Sequence, residues 1–223
     1  MIKSKPIILF DLDGTLIDST QAIVKSFKHS FEQNSFEFKG KNKDITNLIG
    51  YPLEYMFEAL KVPNDKIDIF IKSYKKLYRQ INQNSTKLLP NALKSIKLAN
   101  SFATLGIVTT KTTRYTLPML KEFGILHFFD TIIGRQEVIY PKPHPEPILK
   151  AIENLNTIQS KHIYMIGDTI LDMMSAKDAN ICGIGVLCGY GTNSQLSKYS
   201  QIVVDDTFEA VQIIKNLFEN DTS

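Results

Sequence analysis

Cysteine is scarce in this sequence, with Cys182 and Cys188 the only two among 223 residues. Both lie in the apolar, glycine-bearing stretch Ile181-Cys-Gly-Ile-Gly-Val-Leu-Cys188, and no second pair exists to complete a zinc site. They are expected as reduced thiols in or beside a core strand. Long apolar runs are also missing, and none approaches the roughly 20 residues needed to span a bilayer. The apolar run behind the N-terminal Met-Ile-Lys-Ser-Lys-Pro stops at Asp11, which is short for the h-region of a signal peptide. These absences point to a cytoplasmic protein with no membrane partner. Charge of one sign is lacking as well: 26 Lys and Arg against 23 Asp and Glu leave only +3. That is too little, and too scattered, for a nucleic-acid surface, and the lysine-rich segment 72–79 fits the solvated side of a helix. No repeat or low-complexity tract is present. With 43% hydrophobic and 22% charged residues, the chain has the composition of an ordinary globular protein of one domain, or one plus a smaller one, expected as a monomer or homodimer.

What is present is an alternation. Short continuous apolar runs, as expected of strands buried on both faces, occupy 6–10, 104–109, 131–133, 162–166, 183–187 and 202–204. Between them, helical spacing links Leu93, Ile96 and Ala99, then Leu117, Leu120 and Phe123, then Ile148, Ile152 and Leu155, then Phe208, Val211 and Ile214. The pattern predicts an α/β fold in three layers, a Rossmann-like parallel sheet with helices on both faces and a ligand site at the carboxyl ends of its strands. Segment 18–87 interrupts it. No convincing strand appears there, yet Ile23, Phe27 and Phe31 form one helical stripe, and Ile67, Phe70, Ile71, Tyr74, Leu77, Tyr78 and Ile81 form a longer one. The reading is a core made of 1–17 and 88–223, carrying an inserted all-helical domain at 18–87. The final residues, 219–223, are expected to fray.

The first strand runs directly into Asp11-Leu12-Asp13-Gly14-Thr15, which places two carboxylates and a turn-forming glycine at one strand end. A plain turn with a helix cap would also account for this pentapeptide. Two acids there would otherwise repel, and a hard divalent cation such as Mg²⁺ is the simplest partner. A second acidic pair, Asp168 and Asp172, follows the strand at 162–166 and would share a helix face if a helix began at once. Because strand ends converge in a parallel sheet, both pairs are expected at one edge. Two more polar strand ends join them. Thr109 can donate a hydroxyl to a phosphate oxygen, and Lys142 can neutralise both phosphate and carboxylates. Lys142 sits in Pro141-Lys-Pro-His-Pro145, where three prolines stiffen the loop around it.

At this point the chain resembles the haloacid dehalogenase superfamily, and within it the phosphoglycolate phosphatase-like group with a helical cap between the first two motifs. Asp11-Leu-Asp-Gly-Thr-Leu-Ile-Asp-Ser19 is similar to the first motif, Thr109 to the second, Lys142 to the third and Gly167-Asp-Thr-Ile-Leu-Asp172 to the fourth. The resemblance implies that Asp11 is the nucleophile, forming an aspartyl-phosphate, and that Asp13 is the proton carrier. It implies a Mg²⁺ ion held by Asp11 and Asp168 with the Asp13 carbonyl. Asp172 would order a metal-bound water or hold Lys142. Gly14, Thr15, Thr109, Thr110 and Lys142 would grip the phosphoryl oxygens. Relatives often carry Thr-Asn-Lys where this chain has Thr109-Thr110-Lys111, so a substrate contact at Thr110 lacks the usual amide.

The implied activity is hydrolysis of a small phosphorylated metabolite, with 2-phosphoglycolate first and pyrophosphate, a sugar phosphate or a nucleotide behind it. In the helical domain, Gly50 and Tyr51 are the candidate specificity residues. No arginine follows Gly50, which lowers a sugar-phosphate mutase reading, and Asp13 argues against a dehalogenase, whose relatives do not keep that acid. Lys41, Lys43 and Lys61 lack the apolar setting that a Schiff-base lysine of a phosphonate hydrolase would need. A non-catalytic phosphate-binding module would be expected to have lost one of Asp11, Asp13, Lys142 or Asp168, and all four are present.

Overall fold

A computed structural model describes residues 5–155, 160 and 162–221. Its contacts divide the chain into two compact units, one of 1–17 with 88–223 and one of 18–87.

The larger unit is built on six parallel strands in the order β5-β4-β1-β6-β7-β8. They are β1 (Ile7–Phe10), β4 (Thr104–Val108), β5 (Thr131–Ile133), β6 (Ile163–Gly167), β7 (Cys182–Val186) and β8 (Ile202–Val204). Two short strands, β2 (Ile17–Asp18) and β3 (Lys87–Leu88), pair with each other where the chain passes between units. The central strand β1 is wholly buried, as its unbroken Ile-Ile-Leu-Phe run requires. Alternate residues face opposite layers. Ile8 and Phe10 pack in the layer containing α5 (Ala92–Asn100), α6 (Thr113–Glu122) and α10 (Thr207–Asn220), whereas Ile7 and Leu9 join that of α7 (Glu146–Asn154) and α8 (Ile170–Asp178). A short helix, α9 (Asn193–Leu196), lies between β7 and β8 in sequence. This is the three-layer α/β fold that the alternation implies.

Some expected core positions shift. Leu93 and Leu117 are exposed, because α5 buries Ala92, Ser95, Ile96 and Ala99 and α6 buries Thr116, Met119 and Leu120. Their chain neighbours Ala92 and Thr116 are buried instead. Cys182 opens β7 with an exposed thiol and Cys188 is half-buried; both are free. The expected frayed end is described only to Asp221, with Thr222 and Ser223 outside the described residues.

The smaller unit contains α1 (Thr20–Gln33), α2 (Asn42–Thr46), α3 (Leu53–Ala59) and α4 (Ile67–Ile81). Its core is aromatic. Phe27 lies 4.5 Å from Phe57 and 5.0 Å from Tyr74, and Phe57 lies 5.8 Å from Phe70 between ring centroids. On α4 the buried residues are Phe70, Ile71, Tyr74 and Tyr78, the inner half of the stripe seen in the sequence. The chain enters this unit near the isolated bridge that joins Asp13 to Ile17, and short strands of two residues are too brief to leave a period-two signal. No helix among the described residues is long and apolar enough to cross a membrane.

Candidate active site

Parallel register carries three acids to one place. Phe10 on β1 pairs with Ile166 on β6, so Asp11 leaves one strand end as Gly167 and Asp168 leave its neighbour, and the Asp11 amide donates to the Ile166 carbonyl at 2.9 Å. The α8 helix starts at Ile170, two residues later than a shared Asp168–Asp172 face would need. Asp168 therefore lies before the helix, and only Asp172 lies in its first turn. Even so, ligand oxygens of Asp11, Asp168 and Asp172 all fall within 4.8 Å of one another, and all three residues are buried. The nearness comes from sheet register and a tight turn rather than helix periodicity.

Each acid is held differently. Lys142 donates to Asp11 Oδ1 at 2.7 Å, to Asp172 Oδ1 at 2.5 Å and to the Val108 carbonyl at 3.0 Å, so its three protons are all engaged. Asp172 Oδ2 caps α8 by accepting from the Thr169 amide at 3.0 Å and the Thr169 hydroxyl at 2.6 Å. Asp168 accepts from the Thr15 hydroxyl at 2.9 Å and from the Tyr190 amide at 2.8 Å. Close backbone approach makes this packing possible. A Cβ on Gly167 would stand 2.3 Å from the Asp172 carboxyl carbon, and one on Gly189 would stand 2.1 Å from Asp168 Oδ2.

The cluster is short of positive charge. Three buried carboxylates face one ammonium, leaving two negative charges in excess if all are ionised. Burial accordingly pushes Asp11 up to about 7, against the opposing pull of Lys142 and with help from Asp172 and Asp13. Burial, with Asp11 and Asp172 nearby, likewise drives Asp168 well above the usual carboxylate range. Burial alone would lower Lys142, but the Asp11 and Asp172 carboxylates outweigh it and raise it. A set of all-oxygen donors with two unbalanced charges fits a hard divalent cation.

The remaining expected residues divide. Thr109 is buried at the end of β4, its amide bonded to the Ile133 carbonyl and its hydroxyl accepting from the Lys111 amide at 3.2 Å. Thr110 sits half-buried in the following turn. Gly14 and Thr15 lie in the turn beyond β1, and their donors are engaged. The Gly14 amide donates to the Ile17 carbonyl at 2.8 Å, the Thr15 amide to the Leu12 carbonyl, and the Thr15 hydroxyl to Asp168. Of these donors, only the Thr15 hydroxyl meets an acid of the cluster. Asp13 is outside the three-acid group, and its carboxylate pairs with Lys111. In the helical unit, Gly50 adopts φ of 106° and Tyr51 stacks on Tyr55 at 4.4 Å. Sequence reasoning missed Lys111 as a partner of Asp13, and the Gly189-Tyr190-Gly191 turn that grips Asp168. The glycines flanking Tyr190 were the available signal.

A family model described as haloacid dehalogenase-like hydrolase matches residues 8–186. The pyrophosphatase PpaX of Oceanobacillus iheyensis is 34% identical over 214 residues, covering 95% of this chain and 97% of its own. The phosphoglycolate phosphatase of Salmonella choleraesuis is 26% identical over 225 residues, covering 90% and 88%. A crystal structure of a haloacid dehalogenase-like hydrolase from Bacteroides fragilis superposes with a TM-score of 0.86 at 28% identity, over 93% of this chain and 100% of that one.

Proposed function

Since the chain belongs to the haloacid dehalogenase-like hydrolases and is a phosphatase of that family, we propose that it is a Mg²⁺-dependent enzyme that hydrolyses a small phosphomonoester through Asp11. The observation that carries this reading is the buried meeting of Asp11, Asp168 and Asp172 around Lys142. Asp11 and Asp168, with the Asp13 carbonyl, would hold the cation. Bound there, it supplies the positive charge that lets an anionic nucleophile approach an anionic phosphate.

The protein's own groups account for the rest. An Asp11 oxygen forms a bond to phosphorus while the ester P–O bond breaks, its electrons passing to the leaving oxygen. Asp13 gives that oxygen a proton. In the second half Asp13 accepts a proton from water as the water oxygen attacks phosphorus and the Asp11–phosphoryl bond breaks. Lys142 keeps Asp11 oriented, and Asp172 keeps Lys142 in place while capping α8. Thr109 and Lys142 are assigned to the equatorial phosphoryl oxygens, with Thr110 beside them.

The leading substrate is 2-phosphoglycolate, by the likeness of all four motifs. Pyrophosphate is the second reading, favoured because the pyrophosphatase relative is the more similar of the two described above. Sugar and nucleotide monophosphates complete the range. Substrate choice is assigned to the helical unit, with Gly50 and Tyr51 as its specificity residues. The test is phosphate release from this panel with and without Mg²⁺, comparing wild type with Asp11→Asn and Tyr51→Ala. Metal-independent turnover would remove the role given to Asp168, and an unchanged substrate ranking in Tyr51→Ala would remove the one given to the Tyr51 loop.

A further inference from the structure

Lys111 has a position that none of the roles above uses. It follows the end of β4, and its main chain is tied on both sides: its amide donates to the Thr109 hydroxyl at 3.2 Å, and its carbonyl accepts from the Arg135 amide at 3.1 Å. From this fixed base, Nζ reaches to 3.1 Å from Asp13 Oδ1, with the two side chains only 8% and 12% exposed. Solvated surface pairs are screened and hold geometry weakly, but a pair this shielded constrains both partners. The two lysines thus attend different acids. Lys142 contacts Asp11 and Asp172, and Lys111 contacts Asp13.

We propose that Lys111 is a positioning residue for Asp13, holding its carboxyl group where the proton reaches the leaving oxygen. As Asp11 bonds to phosphorus and the ester P–O bond breaks, the leaving oxygen takes the Asp13 proton, and the carboxylate so formed faces the Lys111 ammonium. That charge is met by a group already in place, so little reorganisation is needed at the moment of transfer. The inference rests on the phosphatase reading above, with Asp13 as proton carrier.

The test compares two esters on the Mg²⁺-loaded enzyme. One is the best alkyl phosphate of the panel, whose alkoxide must be protonated to depart. The other is p-nitrophenyl phosphate, whose leaving group departs without a proton. The kcat/KM ratio is the right measure, because it covers only steps through departure and the ratio between esters cancels the amount of folded enzyme. Lys111→Met is expected to lower kcat/KM about 10- to 100-fold for the alkyl ester and less than about threefold for the nitrophenyl ester, a part of the roughly 10²- to 10⁴-fold that a positioned general acid supplies. Lys111→Arg should recover most of the loss. In an Asp13→Asn background, Lys111→Met should cost nothing further on the alkyl ester. Equal losses on both esters, no loss on the alkyl ester, or full additivity with Asp13→Asn would each overturn the proposal. Should Lys111→Met fail to fold, Lys111→Gln is read in the same way. Wild-type enzyme that releases phosphate from neither ester overturns the phosphomonoester reading and this inference together, whereas wild-type turnover with an unchanged ratio overturns this inference alone.

Discussion

Phe57 in the helical unit and Asp168 in the core are both fully shielded from solvent, yet their surroundings are opposite in kind. Phe57 is ringed by Phe27, Phe31, Phe70 and Tyr74, where each contact favours the folded chain and none needs a partner of a particular charge. Asp168 is ringed by hydrogen-bond donors and by two further acids, where desolvation works against folding. This protein keeps its stability in the first setting and spends it in the second. The aromatic cluster serves packing. The acidic cluster is held against its own repulsion by sheet register, Lys142 and a helix cap.

The largest effect that would test this contrast is at Asp11. Asp11→Asn should reduce phosphate release by at least about 10³-fold, since it removes the nucleophile, while the thermal midpoint of the metal-free protein stays level or rises because one buried charge is gone. A midpoint that fell sharply would mean that Asp11 supports the fold, and the contrast would break. Next comes Phe57→Ala, expected to cost about 3–5 kcal/mol in denaturant unfolding through the cavity it leaves. A negligible cost would show that the aromatic unit is loosely packed.

Burial, only partly opposed by Lys142, raises Asp11 from 3.8 to about 7. Between those values the folded chain binds more protons than the unfolded one, so stability falls as pH rises through the window. In metal-free protein this decline should be steeper for wild type than for Asp11→Asn, as followed by unfolding at a series of pH values. Parallel curves would remove Asp11 as its source.

The smallest effect is expected at the start of α10. Asp206 caps α10 by accepting from the Phe208 and Glu209 amides, and Asp206→Ala should cost about 1 kcal/mol. Partial burial would raise this carboxyl, but hydrogen bonds from Asn91, Glu209 and Phe208 outweigh it and hold the group below its ordinary value. Its contribution is therefore present above the ordinary carboxylate range and is lost as pH falls through the folded value, the reverse of Asp11.

Much of this was legible in the sequence where the signal is local. The run at 131–133 is β5 as read, the run at 202–204 is β8, and the other four core strands begin or end within about one residue of their apolar runs, the usual margin at element ends. The acids were legible because they terminate those runs. Side-chain partnerships were not. Thr15 and Asp168 are 153 positions apart in the chain, and the Lys111–Asp13 pair likewise joins two separate strand ends, so no periodicity could announce either contact. Leu93 and Leu117 misled because hydrophobic spacing marks a stripe, not which edge of it meets the sheet. Gly14 and Thr15 were found by motif, but only the fold shows that their donors are already taken.

The walls around Asp168 and Asp172 are main chain wherever Gly167 and Gly189 approach them. Such a wall cannot be trimmed or enlarged by exchanging side chains, because glycine is already the smallest residue and any larger one strikes a carboxylate. For evolution or engineering, this makes the acidic centre a fixed part and leaves the separately packed helical segment as the place where sequence is free to drift and new preferences can be selected.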